Sequence, residues 1–161
     1  MELYCKGEIN YMKRIIALVI AAIMSVSVLA GCGGADLNKV MTDINSSYSL
    51  NLKSLESKDD LSKYYSIDPE GVKQFAAEID SNNNAPVEII LVEATDADAA
   101  SEIEKALAAR YNSIVSQYAS YTPEKLDSVK KCKVTKDGNF VSLIVADNAE
   151  EILQKYQESI K

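Results

Sequence analysis

The chain has 161 residues with 17 basic and 24 acidic side chains, for a net charge of −7, and it contains no histidine. An acidic surface of that kind repels nucleic acid and anionic lipid; it suits wall cations or basic partners, although solubility alone accounts for such a charge. The missing imidazole removes histidine-based triads and the usual zinc sites, and no phosphate-binding glycine loop or nucleophile elbow stands in for them.

The first element is a targeting segment. Lys13-Arg14 give a positive front, residues 15–28 are apolar apart from Ser25 and Ser27, and Leu29-Ala30-Gly31-Cys32 resembles the lipobox of bacterial prolipoproteins. That pattern implies a helical signal peptide over residues 1–31, cleavage between Gly31 and Cys32, and lipidation of Cys32. The apolar run is short for a spanning helix, and an uncut signal anchor reaching Ala30 is the alternative. Glu2 and Glu8 sit ahead of the basic pair and do not fit a signal, which points to Met12 as the start of translation. Cleavage removes Cys5 and leaves Cys132 as the free thiol, so no disulfide within the mature chain is expected. With no histidine to activate it, Cys132 reads as a small buried apolar residue.

Residues 32–35 read as a lipidated tether and residues 36–161 as one domain. Asp36 can cap a helix in which Leu37, Val40, Met41 and Ile44 recur at helical spacing. Leu50, Leu52 and Leu55 lead into residues 59–65, one or two helical turns. Tyr64 and Tyr65 cannot both face inward there, and Asp68-Pro69-Glu70-Gly71 follows as a turn. Residues 72–79 are ambiguous between helix and strand by pattern, and their context favours a strand. A polar loop over residues 81–84 and Pro86 separates them from residues 87–92, whose β-branched run is apolar on both faces after Glu88. Together they predict a hairpin.

Thr95-Asp96-Ala97-Asp98 reads as a capping box ahead of the longest apolar stripe, Ile103, Leu107, Tyr111, Ile114, Val115 and Tyr118. The two aspartates complement the helix dipole and need no metal. Thr122 can cap a short helix carrying Leu126 and Val129. Residues 132–136 and 139–145 then read as strands around an Asp137-Gly138 type I′ turn, with Lys130, Lys131, Lys133 and Lys136 protecting an edge. Residues 147–150 form a second acidic-ended cap before a helix with Ile152, Leu153, Tyr156 and Ile160. The fold class is α+β, two ββα units sharing an antiparallel sheet, preceded by an N-terminal helix.

The run Tyr65-Ser66-Ile67-Asp68, the strand Glu88–Val92, the long capped helix, Tyr121-x-Pro123 and the strand Gly138-Asn139-Phe140-Val141 resemble a domain of unknown function, the 4358 family, carried by small lipoproteins of Firmicutes, mostly clostridial. The resemblance covers about residues 36–160 and implies no established activity and no transferable site residues; no cofactor is expected.

The expected role is a non-catalytic binding or interaction module, held by lipid on Cys32 at the outer face of the cytoplasmic membrane, with a protein or cell-wall partner. No catalytic or metal-binding residue is expected, and the candidate binding surface is Tyr64, Tyr65 and Asp68. The bland alternative packs one tyrosine in the core and lays the other over its rim. Two competing classes remain: an enzyme acting on cell-wall glycan through two carboxylates facing one cleft about 5 to 10 Å apart, and a sensor with a closed apolar ligand pocket between helix and sheet.

Overall fold

A computed structural model of the protein describes residues 34–80 and 87–161. The signal segment, Gly31, Cys32, the Met12 start and the polar loop 81–84 with Pro86 lie outside the described residues. From Ala35 onward the chain forms one compact unit.

Helix α1 (Leu37–Tyr48) begins where the Asp36 carboxylate accepts the Asn38 and Lys39 N–H groups at 3.0 and 3.2 Å, and it buries Leu37, Val40, Met41 and Ile44. A two-residue strand, β1 (Lys53–Ser54), precedes α2 (Lys58–Tyr65). Ser57 and Asp60 form a reciprocal capping box on α2. After a turn of 3₁₀ helix come β2 (Val72–Ile79) and β3 (Glu88–Ala94), then the 25-residue helix α3 (Ala97–Tyr121). A second 3₁₀ turn and α4 (Leu126–Val129) lead to β4 (Lys133–Asp137), β5 (Phe140–Val145) and α5 (Ala149–Ser159).

The five strands lie in the order β1-β2-β3-β5-β4, every pair antiparallel. Two ββα units therefore join through their inner strands, β3 against β5, as the repeated pattern implies. Strand β1 is an addition that the sequence pattern did not reveal.

Cross-strand partners share a face of the sheet, so the registers assign every strand residue to one layer. Lys136, opposite Val141, reaches Ser101 and Glu104 of α3, and this face includes Ile90, Val92 and Leu143. Glu78, opposite Ile89, reaches Asn45 of α1, and that face includes Leu91, Ser142 and Ile144. Helix α5 lies in the α1 layer, where Lys155 donates to the Ser47 hydroxyl at 2.6 Å. Helices on both faces are why Ile89, Ile90, Leu91 and Val92 are all fully buried. Each such side chain contributes about 1.5–3 kcal/mol by leaving water.

Four local expectations are corrected. The β4–β5 loop is Gly138-Asn139, because Asp137 pairs with Phe140; only Gly138 has positive φ, +57°, which fits a type II′ turn in place of I′. Asp96, not Thr95, caps α3, accepting the Ala99 N–H at 2.8 Å while the Thr95 N–H bonds to Gly71. Neither Thr122 nor residues 147–150 supply a side-chain cap.

Candidate functional site

The three residues of the candidate surface separate. Tyr65 ends α2 with its ring turned inward, 6% exposed, and its hydroxyl donates to Glu88 Oε2 at 3.3 Å. It therefore drops out of any exposed surface, because a helix brings neighbouring residues to different faces. Burial, reinforced by the Glu88 charge, pushes its phenol well above the ordinary value. Tyr64 points outward at 49% exposure, with the Lys63 ammonium 5.2 Å from its ring centre. Asp68 is exposed, and its carboxylate accepts the Glu70 N–H at 3.0 Å to start the 3₁₀ turn.

Asp68 also lines an open groove of about 550 Å³. One wall is the segment Ile67, Asp68 and Gly71, and the other is the first turns of α3, where Ala99, Glu102, Ile103 and Ala106 face it. The walls meet at Gly71, where an added Cβ would lie 3.3 Å from that of Ala99. Both acids have local work, Glu102 pairing with Lys105 at 2.7 Å and Asp68 capping the turn.

The elements carrying the two walls are linked by a buried cluster that pattern reading missed. Glu88, 7% exposed in the sheet, accepts Arg110 of α3 at both carboxylate oxygens, through Nη2 and through Nε at 3.0 Å, in addition to Tyr65 of α2. Bidentate guanidinium pairing is the arrangement that best repays desolvation of a carboxylate. The Glu88 bond, ahead of the cost of burial, raises the Arg110 pKa further and keeps it charged. The available signals were an acid opening an apolar strand and a lone arginine within the long helix.

Two further carboxylates are buried on the opposite face. Glu78 takes hydrogen bonds from Asn45 at 2.8 Å and Ser54 at 3.2 Å, and Glu93 from Gln74 at 2.5 Å and Lys73 at 2.6 Å. Burial pushes the Glu93 carboxyl up, but the Gln74 and Lys73 bonds outweigh it and hold the pKa below the ordinary 4.5. Glu93 lies opposite Gln74, four residues along β2 from Glu78, or about 13 Å of strand. Glu88 is on the other side of the sheet. None of these three shares a cleft with another at glycosidase spacing.

Cys132 is buried beside a cavity of about 30 Å³ between α4 and the sheet, room for one water rather than a ligand. Burial pushes its thiol pKa up, and its Sγ lies 3.6 Å from the Ala146 carbonyl. Among the described residues no group of three metal-ligating side chains converges, and no helix is long and apolar enough to cross a membrane.

The family described as Domain of unknown function (DUF4358) matches residues 45–146, from the end of α1 to the end of β5. No curated protein and no solved structure matches the chain.

Proposed function

The chain belongs to the family of the domain of unknown function DUF4358, and from that premise we propose that it is a lipoprotein of the outer face of the cytoplasmic membrane, whose domain holds a partner without catalysing a reaction. One observation carries the reading: Leu29-Ala30-Gly31-Cys32 ends an apolar segment immediately ahead of Asp36, where the folded domain starts. Two lipid chains on Cys32 anchor stably where one is marginal. The partner docks along the groove between Ile67–Gly71 and α3, and Tyr64, exposed two residues before the groove-lining Ser66, adds rigid contact area. The wall-glycan and sensor readings draw no comparable support from the buried carboxylates or the small cavity.

Partner capture from solubilised membranes tests the docking surface. Tyr64→Ala and Asp68→Asn, which removes the charge but keeps the cap, are expected to lose captured protein or wall fragments while the melting temperature of the domain barely changes. Undiminished capture by both variants would remove this surface from the reading.

A further inference from the structure

Strand β2 carries an irregularity with no role in the groove. Its register against β3 slips between Val72 and Gln74, and the extra residue at Lys73 lets two neighbouring side chains, Lys73 and Gln74, bond to the same carboxylate, Glu93. Bulges of this kind re-aim side chains and are built features of a sheet. Here the re-aimed amide grips the start of the domain. Gln74 Nε2 donates to the Ala35 carbonyl at 2.7 Å as well as to Glu93, and Gln74 Oε1 accepts the Leu37 N–H at 3.2 Å. Glu93 is 6% exposed and orients the amide that holds Ala35.

We propose that the bulge at Lys73, with Gln74 and Glu93, is a tether clamp that turns one end of the domain toward the lipid surface. The inference rests on lipidation of Cys32. Cys32 and Ala35 are three peptide units apart, so their Cα atoms are separated by about 11 Å at most. A clamp on Ala35 therefore confines the bilayer to the end of the domain where the chain enters. That end contains the start of β2, the end of β3 and the Gly138-Asn139 turn, tied together by the Ala94 N–H to Asn139 carbonyl bond at 2.8 Å. It also carries the first turn of α3. The 25 residues of α3 then run about 37 Å away and carry Tyr121, 83% exposed, to the distal end. Asp36, Asp96 and Asp137 lie at the near end, while Lys73 and Lys136 there are paired to Glu93 and Glu104 and Lys58 donates to the Val72 carbonyl. Covalent reach, not attraction to anionic lipid, sets the orientation.

Helix α3 serves as the ruler. Asp98→Cys and Tyr121→Cys, each carrying a fluorophore, are compared in full-length protein purified from membranes and placed in phosphatidylcholine vesicles containing an acceptor lipid. Energy transfer from position 98 is expected to exceed that from position 121 several-fold, and Gln74→Ala should bring the two close together. Should Gln74→Ala unfold the domain, six residues inserted after Gly34 must erase the difference with the clamp intact. Equal transfer from both positions in lipid-bearing protein, a difference that persists in folded Gln74→Ala, or one that survives the insertion, overturns the clamp. Protein that carries no fatty acid and does not sediment with vesicles would instead overturn the lipidation on which the inference rests.

Discussion

Truncating Arg110 should loosen both walls of the groove at once. Its guanidinium holds both oxygens of Glu88, and Glu88 in turn receives Tyr65, the residue just before the segment that forms the opposite wall. Arg110→Ala leaves a buried carboxylate with a single 3.3 Å hydroxyl contact. Removing one member of a fully buried pair costs about 3–5 kcal/mol, but the Arg110 side chain is 35% exposed and water screens part of the loss. We expect about 2–3 kcal/mol. For a domain of this size, 1 kcal/mol corresponds to about 4 °C in melting temperature, so the midpoint should fall by about 8–12 °C. Glu88→Met with Arg110→Met should recover most of it, since apolar isosteres remove the buried charge along with its partner. Thermal melts of Glu88→Met, Arg110→Met and the double variant complete the cycle. A loss under about 0.5 kcal/mol for Arg110→Ala would show the pair to be a solvated rim contact and would refute the idea that it positions the groove.

Gly138→Val should cost about 1–3 kcal/mol, because nothing lies within 4 Å of an added Cβ and only the positive φ is strained. Asn139→Val should cost less, as its φ is ordinary; equal midpoints for the two variants in thermal melts would contradict a type II′ turn. Glu93, whose folded pKa lies below 4.5, stabilises the domain above that value, and the contribution is lost as pH falls through the folded pKa. Melting temperatures should therefore descend less steeply below pH 4.5 in Glu93→Gln than in the unaltered protein; parallel curves would mean that Glu93 is not held ionised.

The two ββα units were legible because each inner strand is a β-branched run followed by an acidic helix start, and an antiparallel sheet with helices on both faces needs that pattern. Strand β1 was not, since two exposed residues carry no alternation. The turn was misplaced by one residue because Asp-Gly and Gly-Asn both suit tight hairpins, and pairing of Asp137 with Phe140 decides between them. The site was less legible than the fold. Pattern reading treats Glu88 and Glu93 as polar breaks, whereas their burial depends on Arg110, Gln74 and Lys73, partners brought in by tertiary packing. The Tyr64-Tyr65 pair was correctly seen as unable to bury together, and Tyr65 is the ring that turns inward because it lies four residues after Leu61 on the buried face of α2.

The account stands on lipid at Cys32, and the measurement closest to that claim is metabolic labelling with a fatty-acid probe, read on the purified protein and on Cys32→Ser. The unaltered protein is expected to carry the label on its mature form, while Cys32→Ser loses it and is either released or left at precursor mass. Label retained by Cys32→Ser, or absent from the unaltered protein, would contradict the account.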